Sequence, residues 1–518
     1  MKLTPAALGL CVTAALLTGC GGSGSDSDGN GSSGDTQYAD GGTFTMAMAG
    51  DPGKLDPQSS ASSQLFTVNQ LAYDNLVAVD ADTGEIQSQL ATDWKVDGAT
   101  VTLTLGDGIT CADGSDFTAT TVADNIAYVA DPKNKSPYLG VFLPVGAKAE
   151  ADDAAGTVTI TLAQPAPFVL NGLASLPMVC EAGMEDRASL SDSTAGTGPY
   201  VLTEAAPGDH YTYEIRDGYT WGPDGATTAE KGMPDTVVMK VVQNEGTAAN
   251  LLLSGDLNAA TVQGPDAKRL DAQDLFTSQT PALVGEQWYN HGDGHGTADP
   301  GVRMGLTQAL DLEQLASVAT AGNGTPATTL AAIQPVACPG DSVSGNVPAQ
   351  DVEAAKTALA GQKLTFLYSS AAGNAVSAAA ELAVQQWEAA GATVTAKGVD
   401  ETALQQAIFG TGDWDIAWVP LNVNSPDQLV PFLSGPGMAD GGTNFSGIDN
   451  PDYDAGVKQA SGMPGTEGCD TWLQAEASLF TAADIVPFAN NLVTTYGNGA
   501  EFEMPGQLVP TSIRMLAS

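Results

Sequence analysis

Between Lys363 and Val419 the sequence leaves few folds open. Lys363–Tyr368 reads as a strand, Asn374–Ala390 as a helix ended by Gly391, and Ala392–Val399 as a second strand. Glu401–Phe409 then reads as a helix and Asp415–Val419 as a third strand. Strand and helix alternating at these lengths predict a parallel sheet with helices laid over it. Trp387 falls on the inward face of its helix and reads as core.

The preceding part is patterned differently. Thr43–Ala47 predicts a short strand entering the loop Gly50-Asp51-Pro52, and Leu65, Val68, Leu71 and Ala72 recur at helical spacing within Ser63–Asn75. Val101, Leu103 and Leu105 alternate along Ala99–Leu105, and Thr157–Leu162 alternates likewise. Thr121 is placed to cap a helix with Val122, Ile126 and Val129 inward, ended by Asp131-Pro132. Tyr211, Tyr213 and Ile215 predict another strand, and Thr236–Val242 one more. A chain of 518 residues exceeds what one hydrophobic core organises, and 43% hydrophobic residues is a globular content. Two α/β lobes of different composition are expected, with no internal repeat.

The N-terminus reads as an address. Lys2 gives a positive start, and Ala6–Leu17 is an apolar run of 12 residues, short of the roughly 20 that span a bilayer. Leu17-Thr18-Gly19-Cys20 resembles the bacterial lipobox, in which the cysteine thiol takes a lipid and the peptide before it is removed. Residues 1–19 are thus the expected signal peptide and Cys20 the expected lipidation site. Residues 20–42 form a Gly/Ser/Asp tether that spans on the order of 25 Å as a flexible coil. Asp26–Gln37 imitates the start of a calcium loop, but its twelfth position is Gln37 rather than Glu.

Charge narrows the partners. Against 18 Lys+Arg stand 61 Asp+Glu, a formal net charge of −43. That field repels nucleic acid and anionic membrane surfaces, so membrane attachment through the lipid alone is expected. It suits a solvated exterior, with the gathering of cationic ligands as the alternative. Cys11 leaves with the signal peptide. Cys111, Cys180, Cys338 and Cys469 remain, an even count that suggests two disulfides in an exported chain. Three pairings are open; 111–180 with 338–469 keeps each bond within one lobe.

From about residue 41 onward the chain resembles solute-binding protein family 5, the dipeptide, oligopeptide and nickel-type binding proteins of ABC importers. The likeness rests on Gly41-Gly42-Thr43-Phe44 through Leu55-Asp56-Pro57, on Leu71–Leu76, on Leu90-Ala91-Thr92-Asp93-Trp94, and on Asp113–Ala119. Gly196-Thr197-Gly198-Pro199-Tyr200 and Val302-Arg303 with Ala309-Leu310-Asp311 complete it. The resemblance implies an α/β, two-lobed, periplasmic-binding-protein-like fold of type II, the large peptide-binding class, with a hinge and an interlobe cleft. It implies a first lobe over 43–285 with an extra subdomain near 67–190, a second lobe over 286–487, and a return at 488–518. It also implies a monomer outside the cell membrane that passes a small solute to ABC permease subunits, without a cofactor. Family members take peptides, metal complexes, sugars or other solutes.

Catalytic chemistry has little support: there is no Gly-x-Ser-x-Gly, His-Glu-x-x-His or phosphate loop. An exported hydrolase is the rival reading and a metal-chelate binder the alternative ligand reading. The latter rests on His291-Gly292-Asp293-Gly294-His295; a solvated loop is the plainer account, and no metal ligand is assigned. Trp288 and Asn290 sit where the chain should cross between lobes. Trp414 and Trp418 flank a strand leading into Asn422 and Asn424, and Asn444 lies farther on. Aromatics with amides suit a cleft that reads a polar solute, and these seven residues are the expected ligand contacts. Peptide-binding relatives typically carry an Asp where this chain has Asn422, and that Asp pairs with the peptide amine. An amide there favours a neutral or blocked solute, because an unpaired buried ammonium is costly.

Overall fold

In the computed structural model, residues 37–517 are described apart from 61, 82, 335 and 464. The signal peptide 1–19, Cys20 and the tether up to residue 36 lie outside the described residues.

Parallel strands form where predicted. Lys363–Ser369 pairs in parallel with both Thr393–Val399 and Ile416–Trp418. The helix Asn374–Ala389 covers them, burying Val376, Ala379, Ala380, Ala383 and Trp387 at helical spacing. The Trp387 ring meets Phe366 edge-on at 5.2 Å and its Nε1 donates to Leu306 O at 2.9 Å. The next predicted helix is shorter than its pattern suggested. It runs over Glu401–Gln406 and then widens into a π turn at Ala407–Thr411, closed by Gly412 at φ 71°.

These three strands continue into a ten-stranded sheet through two long antiparallel strands, Phe276–Tyr289 and Ile485–Gly497. On the other side follow Ala259–Thr261, Thr43–Met48, Thr236–Val241, His210–Ile215 and Tyr200–Ala206. The two crossing strands pair from Phe276↔Gly497 to Trp288↔Ile485, and their register shifts on either side of Gly285. Such a bulge bends a ladder locally. Gly285 suits it: a Cβ there would lie 2.5 Å from the Phe488 ring.

A separate antiparallel sheet of four strands orders Ala91–Asp97, Thr100–Leu105, Thr157–Thr161 and Lys148–Asp152. Alternation puts Val101, Leu103 and Leu105 into one core with Val158 and Ile160, and Val122, Ile126 and Val129 of the helix Ala119–Ala130 join them. The helix cap is Thr118 rather than Thr121. Thr118 is the last extended residue, and its side chain accepts the Thr121 N–H at 3.2 Å. Two of the family-like segments meet nearby. Asp74 is buried and accepts from Thr197, Tyr219, Trp221 and Gln89, while Gly198 abuts the backbone of Leu71–Tyr73 so closely that no side chain fits.

Cys111 is bonded to Cys180 and Cys338 to Cys469. Among the described residues no helix is long and apolar enough to cross a membrane.

Candidate functional site

The crossing strands are stitched to the segment that follows Ile416–Trp418. Val419 N–H donates to the Glu286 carbonyl, and Leu421 N–H donates to Glu286 Oε2 at 2.6 Å. One step on, Leu283 N–H donates to Asn422 Oδ1 at 2.8 Å and Asn422 Nδ2 donates to Leu283 O at 3.2 Å. The side-chain amide of Asn422 thus does what a neighbouring strand's backbone would do. It occupies the free edge of the ladder just where the register shifts.

Glu286 is fully buried, and burial pushes its carboxyl up to about 8, only partly offset by the Leu421 N–H. Its Oε1 has no protein partner. Glu476, on the helix Cys469–Thr481, is buried close enough to raise Glu286 further. Burial pushes Glu476 itself up to about 7, although it accepts the Ser342 hydroxyl at 2.7 Å. Two neighbouring buried acids are therefore both held toward their neutral forms.

The expected contact residues divide into two groups. Trp288 is buried, donates to Val419 O at 2.9 Å and lies 4.6 Å from the Phe445 ring. Trp414 packs against the same phenylalanine, and Trp418 donates to Gln287 and packs against Phe366 and Phe488. Asn290 and Asn444 staple loops: the first donates to Trp414 O and Gly412 O, and the second exchanges bonds with Ile448. Those five serve packing and loop geometry in this conformation. Asn422 is brought to the register shift, and Asn424 follows two residues on. Asn424 Oδ1 is buried without a partner, while its backbone is held by Gln428 and Ala337.

The two histidines go to different carboxylates. His291 faces Asp484, which is bridged to Arg303 at 3.0 Å, and burial beside that arginine lowers the imidazole to about 3. His295 Nδ1 lies 3.3 Å from Asp415. Among the described residues no three His, Cys, Asp or Glu side chains are grouped as a metal site.

A cavity of about 490 Å³ opens against the hinge. Pro281 and Asn490–Leu492 of the crossing strands form one wall, and Thr325, Thr328, Gln334 and Ser344 lie on the other. None of these was singled out from the sequence. The signal that could have found them is the Asn490-Asn491 pair, which interrupts an apolar strand immediately after Ala489.

A second contact joins segments remote in sequence. Phe168, which precedes the helix Val169–Leu173, is buried against Trp472, Ala460 and the Cys338–Cys469 disulfide. The Phe168 and Trp472 rings are 6.4 Å apart.

Two α/β lobes joined by a bulged pair of crossing strands define the substrate-binding-protein class. The chain belongs to the bacterial extracellular solute-binding proteins, family 5, whose "family 5 Middle" model matches residues 85–439. The glutathione-binding proteins GsiB of Escherichia coli O1:K1 / APEC and Salmonella typhimurium are each 29% identical over 283 residues, 53% of this chain and 53% of theirs. The chain thus spans about half the length of the curated relatives it matches. A substrate binding protein from Microbacterium hydrocarbonoxydans, solved with 4-hydroxybenzoate hydrazide, is 29% identical with a TM-score of 0.79, covering 91% of this chain and 99% of that one. A dipeptide binding protein from Pseudoalteromonas sp. SM9913, in complex with Met-Leu, shares the fold at 18% identity and TM-score 0.75, over 91% and 100% of the two chains.

Proposed function

We propose that this chain is the extracytoplasmic receptor of an ABC importer. It closes two lobes on a small polar solute and presents the closed form to the permease subunits as a monomer. Residues 43–285 with 488–518 form one lobe and 286–487 the other, and lipid on Cys20 holds the body at the outer face of the membrane. The observation that carries the reading is the pair of crossing strands with its register shift at Gly285. A ladder continuous on both sides and irregular at one point is built to bend there. Family membership and the small polar ligands named for the relatives support it.

The test is a thermal-shift screen of the purified protein against peptides, oligosaccharides and nickel chelates. A ligand at 100 times its Kd stabilises the folded state by about 2.7 kcal/mol, and compaction on binding should follow by small-angle scattering. Turnover of a bound probe would instead favour the hydrolase reading.

A further inference from the structure

We propose that the hinge cavity is where this receptor reads its solute, and that the part read there is uncharged and rich in hydroxyl or amide donors. The proposal rests on the receptor reading above and names the chemistry of its ligand.

The lining carries no formal charge. In a chain with 61 Asp+Glu and 18 Lys+Arg, the walls hold only Thr, Ser, Gln and Asn side chains, with Pro281, Pro326 and Leu492 as the apolar remainder. Its volume, about 490 Å³, falls in the range of about 300–1,000 Å³ usual for small-molecule sites. A few amides and hydroxyls set among prolines and a leucine orient a polar solute without neutralising an ion.

The two asparagines have spare hydrogen-bonding capacity. The Asn490 backbone is spent, since it exchanges both bonds with Thr325 at 2.8 and 2.9 Å. Its side-chain Oδ1 is buried with no partner. Asn491 gives Nδ2 to Gln263 Oε1 at 3.1 Å and likewise keeps a buried Oδ1 without a donor. Buried polar atoms are ordinarily satisfied, and the hydroxyls of a saccharide or the N–H groups of a blocked peptide would satisfy these. An occupant would touch both the crossing strands and the Thr325–Ser344 loop, so binding bears directly on the hinge.

The experiment uses the full mature chain. It is incubated with tryptone and yeast extract, freed of unbound solute by gel filtration and denatured, and the released solutes are identified by mass spectrometry. The expected result is a solute without ionised amine or carboxylate, its structure separating the saccharide from the blocked peptide. Its yield should fall at least tenfold in Asn490→Leu and Asn491→Leu with unchanged circular dichroism. Thr328→Val, on the exposed loop, should lower it about threefold and covers the case of a misfolded strand variant. An ionised solute, or an uncharged one retained equally by the folded variants, overturns the site assignment and leaves the receptor reading standing. Release of nothing, with no change in scattering on adding the extract, overturns both.

Discussion

Asn422 and Leu283, 139 residues apart, exchange two hydrogen bonds beside the register shift at Gly285. Asn422→Asp keeps the acceptor but sets a carboxylate against the Leu283 carbonyl. We expect a loss of about 1–3 kcal/mol, read by chemical denaturation, with Asn422→Ala at the lower end. A neutral result in both would show that the stitch is not made in solution.

Glu286 and Glu476 make stability pH-dependent. Their folded-state pKa values, raised by burial to about 8 and about 7, lie above the ordinary carboxylate value of 4.5. The folded state therefore holds protons that the unfolded chain releases. The stabilisation is fully present below pH 4.5 and is lost as pH rises through 7 and 8. Glu286→Gln keeps an acceptor for the Leu421 N–H and cannot ionise. It should match the parent near pH 4 and exceed it by at least about 1 kcal/mol at pH 9, since each tenfold difference in proton affinity between the folded and unfolded states corresponds to about 1.36 kcal/mol. Parallel stability–pH curves for the two proteins would refute the assignment.

Phe168 packs against Trp472 and the Cys338–Cys469 disulfide, which lie in the other proposed lobe. Burying such a ring contributes about 1.5–3 kcal/mol, and in the proposed two-lobed receptor part of that would hold the lobes together. Phe168→Ala should enlarge the ligand-free radius of gyration and weaken solute binding by about tenfold, the equivalent of about 1.4 kcal/mol. Unaltered scattering together with unaltered affinity would show that the contact does not hold the lobes together.

Anchoring is tested at Cys20. Stable attachment takes more than one acyl chain, which the proposed lipidation of Cys20 would have to supply. Cys20→Ser should appear in the medium or remain unprocessed in the membrane fraction. A correctly cleaved mutant that stays on the membrane would remove the lipid from the account.

The layered part of the fold was legible because helix and strand periods differ. Residues 363–419 show both, and the parallel pairing followed. The disulfides were legible through lobe order, since the pairing that stays within lobes is the one formed. The candidate site was legible only in part. A tryptophan beside a strand looks the same in sequence whether it faces a cleft or a core, and Trp288, Trp414 and Trp418 all face the core. Asn422 was expected to contact ligand, whereas its amide is spent on Leu283, a remote partner that contributes only backbone atoms, which no side-chain pattern marks. Thr325 and Gln334 lie on one loop and Asn490 on a distant strand, and the bridge between Thr325 and Asn490 brings them together.

The continuous sheet makes the hinge a crease in one surface rather than a joint between two bodies. Neither disulfide spans that crease, so each side is stiffened and the fold line alone is left compliant. In the proposed receptor, bending would be channelled across Gly285, giving a permease two distinguishable outlines rather than a continuum.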